Sequence, residues 1–152
     1  MTYECEFKET AAQPTLSMRV TTAVQDLPQA MGNVYQAVAL YLQELGEAPA
    51  GAPFSIYYNM DMEALDVEIG YPVAKALPGK GEINASEMPG GKIATCIYTG
   101  PYSDMAPAYD ALTQWVQEHG YTPTGVTYEI YLNDPMETAP EGLQTQIVFP
   151  LA

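Results

Sequence analysis

The sequence predicts an α+β fold, an antiparallel sheet with two main helices, built from a β-α-β-β unit used twice. Three observations predict it. Apolar residues recur at the helical period in two segments and alternate in several others. Glycine and proline fall between these segments, where turns belong. A long stretch also occurs twice: "MGNVYQAVALYLQELGEAPAGAPFSIYYN" (31–59) lies over "MAPAYDALTQWVQEHGYTPTGVTYEIYLN" (105–133) without a gap. Met31 matches Met105, Tyr35 matches Tyr109, Gly46 matches Gly120 and Asn59 matches Asn133, at a constant offset of 74. After a four-residue insertion in the second copy, "EIGYPV" continues over "QIVFPL" and pairs Pro72 with Pro150. A repeat half a chain long signals a duplicated unit with pseudo-twofold symmetry, not a solenoid.

The elements follow in order. A minor strand at 3–8 precedes the first copy, which spans about 15–73. It opens with a strand at 15–23 and a helix over 27–45. Asp26 is placed as an N-cap, Gln29 completes a capping-box spacing, and Pro28 falls in the tolerated first turn. Leu27, Met31, Val34, Tyr35, Val38, Tyr41, Leu42 and Leu45 form the apolar stripe, and Gly46 ends it. Strands at 54–59 and 65–73 complete the copy. In the latter, Leu65, Val67, Ile69 and Tyr71 alternate with Asp66, Glu68 and Gly70, as in a half-buried strand.

A linker at 74–90, with a minor strand at 82–88 between "LPGKGE" and "MPGG", leads to the second copy at about 91–152. That copy has a strand at 91–99, a helix over 104–119, and strands at 126–132 and 143–150. Met105, Tyr109, Leu112 and Val116 make the helix stripe, Trp115 lies beside it, and Pro107 belongs to the first turn.

Charge and composition exclude several function classes. Of the 152 residues, 19 are acidic and 5 are Lys or Arg, a net charge of −14, and no Lys or Arg follows Lys92. Direct nucleic-acid binding is therefore excluded, while a basic protein partner is compatible. The apolar runs are too short for a membrane span, and "MTYECEFKET" is neither a signal nor a transit peptide. Cys5 and Cys96 read as two reduced thiols of a cytoplasmic protein. No metal-ligand spacing, P-loop, dinucleotide fingerprint or nucleophile elbow occurs, so no metal or cofactor is expected. His119, the one histidine, suits the end of a helix.

The strand "VTYEIYLNDP" (126–135) carries the most informative residue. Tyr128, Ile130 and Leu132 point one way, Thr127, Glu129 and Tyr131 the other, and Asn133-Asp134-Pro135 stops the strand. At the repeat offset Ser55 corresponds to Glu129, Tyr57 to Tyr131, and Ile56 to Ile130, the last pair expected to face the core. The pattern leaves two places for Glu129. It is solvated on an open face, or it meets Ser55, Tyr57 and Tyr131 near the symmetry axis, where tyrosine rings and one carboxylate suit an organic cation. Twelve tyrosines cannot all line one site. Tyr35 and Tyr109, at the helix–sheet seam, are candidates, and Trp115 is open between packing and lining.

Gly100-Pro101-Tyr102, Tyr109, Leu112, Trp115, Gly120, Tyr128-Glu129-x-Tyr131 and Asp134-Pro135 together resemble the GyrI-like effector-binding family, also found in AraC-type and MerR-type multidrug regulators. The resemblance covers nearly the whole chain. It implies a central cleft that takes lipophilic, often cationic, small molecules, with Glu129 facing it. No helix-turn-helix is present, so a stand-alone binding domain, serving as sensor or sequestering protein, is expected. Two alternatives accompany it: a hydrolase of electrophilic small molecules using Glu129 and a cleft tyrosine, and an acidic interaction module such as a DNA gyrase inhibitor.

Overall fold

The computed structural model describes residues 3–59, 61–134 and 137–152, so the strand-stopping role of Pro135 lies outside the described residues. The fold is α+β with antiparallel strands and two helices. The chain forms two compact units, residues 11–90 and residues 1–10 with 91–152.

The 11–90 unit contains β2 (Gln13–Thr22), α1 (Leu27–Glu44), β3 (Phe54–Tyr57), β4 (Leu65–Pro72) and β5 (Asn84–Met88). Its strands run antiparallel in the order β3-β4-β2-β5. The other unit contains β1 (Cys5–Thr10), β6 (Gly91–Thr99), α2 (Ala106–Glu118), β7 (Thr127–Tyr131) and β8 (Gln144–Pro150), in the order β1-β6-β8-β7. The first strand thus crosses over to pair with β6, while the segment after β4 returns as β5 to pair with β2.

Both units use the same local devices. Val34, Val38 and Leu42 are buried on α1, and Ala108, Leu112 and Val116 on α2. Steps of four residues keep each trio on one helical face. The α1 face packs on Leu16, Val67 and Ile69, and the α2 face on Ala94, Cys96 and Ile147. Each fully buried Val, Leu or Ile contributes roughly 1.5–3 kcal/mol. Gly46 (φ 70°) and Gly120 (φ 79°) end the helices in left-handed geometry. The amides beyond them reach back, Glu47 N–H to Leu42 O at 2.9 Å and Tyr121 N–H to Val116 O at 3.1 Å. This is the six-to-one closure that a C-terminal glycine permits. The ladders also agree: Ser17 opposes Gly70 as Thr95 opposes Val148, and Ile56 opposes Glu68 as Ile130 opposes Gln146.

Three expectations need correction. Asp26 makes no side-chain cap and is itself helical, because a short 3-10 turn, Val24–Asp26, leads into α1. Ile56 is buried in the core, 2% exposed, as expected, but neither it nor Ile130 lies on the face that the helices cover. Their ladder partners Glu68 and Gln146 alternate with Ile69 and Ile147, which do, and Ile130 is only half-buried. Nor is the acidic face of β4 open, since Glu68 is 8% exposed.

Candidate functional site

Glu129 occupies the middle of β7, opposite Ile147 of β8. Ile147 is fully buried against α2, so the same alternation puts Glu129 on the helix-covered face. Tyr109, on the flank of α2, donates its hydroxyl to Oε2 of Glu129, and Tyr131, two residues along β7, donates to Oε1 at 2.8 Å. Glu129 is 9% exposed. Burial pushes its pKa above the ordinary 4.5, and the two tyrosine hydroxyls pull it partly back.

The chain's five Lys and Arg are all engaged elsewhere. Lys8 pairs with Glu6, Arg19 with Asp66, Lys75 with Glu47 and Lys80 with Glu44, and Lys92 donates to Tyr121. Glu129 therefore has hydroxyl donors but no basic side chain. A carboxylate so placed favours an incoming cation, and its raised pKa also lets it hold a proton.

Tyr102 extends the group. Its ring lies 5.6 Å from that of Tyr131 in edge-on geometry, and it is 38% exposed. Its hydroxyl pKa is raised by burial, then by the fields of Asp134 and Glu129. The corner that presents it is fixed by Tyr98, which donates to Pro101 O at 2.7 Å. Gly100 (φ 144°) precedes that proline, and a Cβ there would meet the Tyr98 hydroxyl at 2.7 Å. Only glycine fits.

The remaining sequence candidates are Tyr35, Ser55, Tyr57 and Trp115. Tyr35 donates to Phe54 O at 2.9 Å and packs on Tyr71, ring centroids 5.3 Å apart. The corresponding rings Tyr109 and Phe149 are 6.0 Å apart. Ser55, fully buried, and Tyr57, half-buried against the α1 core, belong with Tyr35 to the 11–90 unit. Trp115 packs on Phe7, at 4.3 Å, and on His119, at 4.5 Å. Six residues rotate a helix by about 240°, so Tyr109 and Trp115 leave α2 in different directions. The structure thus brings Glu129, Tyr109 and Tyr131 together and separates Trp115 from them.

Sequence reasoning did not single out Tyr102 as a site residue, although it marked the Gly100-Pro101-Tyr102 motif. It also missed Glu68, which accepts hydroxyls from Ser17 and Tyr58, each at 2.6 Å. The Ser17 donor is not legible locally, because it stands on β2, with α1 and β3 between it and β4. A shallow groove of about 330 Å³ against α1, lined by Met18, Leu40, Tyr41, Glu44, Lys80 and Ile83 among others, includes none of the candidates. Among the described residues, no group of three or more His, Cys, Asp or Glu could hold a metal, and no helix is long and apolar enough to cross a membrane.

Comparison with solved structures finds the fold in several settings. The EcmrR C-terminal domain is 22% identical, with a TM-score of 0.82, covering 100% of this chain and 99% of that one. Within an EcmrR–DNA complex the match has a TM-score of 0.85 at 22% identity, covers 98% of this chain and spans 57% of the EcmrR chain. A hydrolase from Listeria innocua is 15% identical, with a TM-score of 0.69, over 98% of this chain and 92% of that one. SAV2435, solved with bound tetraphenylphosphonium, is 12% identical, with a TM-score of 0.70, over 100% of this chain and 94% of that one. No curated protein gives a match. A family model for the GyrI-like small molecule binding domain matches residues 3–152. On that match across the described fold, the chain belongs to the GyrI-like family of small-molecule binding domains.

Proposed function

We propose that this chain binds lipophilic organic cations, with the ligand charge at Glu129 and its rings against Tyr109, Tyr131 and Tyr102. One observation carries the reading: Glu129 is buried with two hydroxyl donors while every Lys and Arg of the chain is engaged elsewhere. A cation held there gains a desolvated counter-charge and ring faces, each face contributing roughly 0.5–2 kcal/mol. The tetraphenylphosphonium held by SAV2435 is a ligand of this class and supports the choice. The role that fits is sensing or sequestering such compounds. We also read the two units as copies of one ancestor, of which only the second carries an acid at this strand position.

Calorimetry with tetraphenylphosphonium and with neutral triphenylphosphine oxide tests the proposal. Glu129→Gln preserves shape and removes charge. It should cost about 2–5 kcal/mol for the cation and much less for the neutral compound. Equal losses for both, or none for the cation, would return Glu129 to a structural role.

Hydrolysis is a second reading, favoured by the raised pKa of Glu129 between two phenols and by the likeness to the Listeria hydrolase. Incubation with electrophilic esters and epoxides distinguishes it. Product formation abolished by Glu129→Gln would support it, and unchanged substrate would remove it.

A further inference from the structure

Thr145, the second residue of β8, is fully buried, and its hydroxyl has no hydrogen-bond partner among the described residues. Its position is fixed by register: it stands opposite Tyr131 on one side and Tyr98 on the other, two residues before Ile147, the partner of Glu129. Alternation places Thr145 on the Glu129 face, as a diagonal neighbour about 7–8 Å away. The flanking hydroxyls are directed elsewhere, Tyr98 to Pro101 O and Tyr131 to Glu129.

The other unit shows that the scaffold does not require this hydroxyl. There the corresponding ladder position, between Tyr57 and Val20, holds Val67, equally buried and of the same shape. A buried polar atom without a partner is a cost that native folds avoid unless something else satisfies it. Here an isosteric valine would remove that cost.

We propose that Thr145 is a further ligand-contacting residue of the Glu129 site, and that the ligand is an aromatic cation bearing a hydrogen-bonding group, hydroxyl or amine, one diagonal step from its charge. This rests on the cation reading above and narrows it. Glu129 meets the charge, the tyrosines meet the rings, and Thr145 selects among cations by their polar substituent. A site built to hydrogen-bond a substituent disfavours the analogue that lacks it, because its own polar group then stays unpaired.

The test compares tetraphenylphosphonium with the three positional isomers of (hydroxyphenyl)triphenylphosphonium, by calorimetry on wild type, Thr145→Val, Thr145→Ser and Glu129→Gln. At least one isomer should bind wild type about 3- to 10-fold more tightly than the parent cation, the gain of one neutral hydrogen bond. That advantage over the parent cation should vanish in Thr145→Val and persist in Thr145→Ser. The unliganded valine variant should melt about 2–4 °C higher. If no isomer gains over the parent, or if the gain survives valine, the inference falls while the cation reading stands on its Glu129→Gln result. A lower melting temperature for the valine variant would show the hydroxyl satisfied within the fold and would also overturn it. Failure of all four cations to bind wild type removes both readings.

Discussion

Each unit buries one carboxylate that accepts two hydroxyls, yet the two acids are provided for differently. Glu68 takes Ser17 and Tyr58 on the face of its sheet away from α1, and its cross-strand neighbour is Arg19. The Arg19 guanidinium lies 3.9 Å over the Tyr58 ring and is held above its ordinary pKa by Asp66 first, with Tyr58 and Glu68 adding to the effect. Glu129 takes Tyr109 and Tyr131 on the helix-covered face, and its cross-strand neighbour is Ile147. At the position equivalent to Glu68 the second unit has Gln146, which donates to Thr95 at 3.1 Å and carries no charge. At the position equivalent to Glu129 the first unit has Ser55, and the equivalent tyrosine, Tyr35, turns to a backbone carbonyl. Burial alone therefore does not make an acid a candidate for binding. What distinguishes Glu129 is that the fold completes its hydrogen bonds and omits its counter-charge.

The largest expected effect tests how far the units are interchangeable. Gly70 corresponds to Val148, but a Cβ on Gly70 would stand 2.2 Å from Leu16 O and 2.8 Å from Ser17 Cα. Gly70→Val should therefore force β2 from β4 and destabilise the protein by roughly 3 kcal/mol or more in urea unfolding. A loss under 1 kcal/mol would mean that β2 and β4 can part to admit the side chain. Next in size is the contrast of the two acids. Glu68→Gln weakens two charge-assisted hydrogen bonds beside Arg19 and should cost about 1–2 kcal/mol. Glu129→Gln removes an uncompensated buried charge and should leave stability at neutral pH unchanged or about 1 kcal/mol higher. The same sign for both substitutions would break the comparison.

The elements of the fold were legible because their signals are local. Stripes of apolar residues and terminal glycines place α1 and α2 within a residue or two, and alternation finds the strands. Alternation also separates Glu129 from Ile130, but it cannot say which face a helix covers. That is a tertiary fact, and the core was assigned to the wrong side of β7. Glu68 was read as outward because Arg19 and Ser17, its neighbours, stand some fifty residues earlier. The packing of β1 on β6 is likewise non-local, and with it the Phe7–Trp115 contact. Trp115 was left open between packing and lining, although six residues along a helix give it a different direction from Tyr109.

The smallest effect is also the most specific to Glu129, and it is read as a pH profile. Its folded pKa is raised above the ordinary 4.5, so between those values the folded protein holds a proton that the unfolded chain has released. Stability therefore falls as pH rises through that window, and the loss is complete above the folded pKa. Below 4.5 both states are protonated and the effect is absent. The stability difference between Glu129→Gln and wild type should accordingly be greatest above the window and shrink as pH falls toward 4.5. Tyr109→Phe removes a hydroxyl that lowers this pKa, so it should extend the window upward and move the onset of cation binding to higher pH. Tyr35→Phe, at the matching helical position, loses a bond to a backbone carbonyl and should cost about 0.5–1.5 kcal/mol with no change of profile. NMR titration of the Glu129 carboxyl, with thermal melts across the same pH range, measures both. Matching profiles for the two phenylalanine variants would mean that Tyr109 and Tyr35 do the same job, and that the units differ at residue 129 without functional consequence.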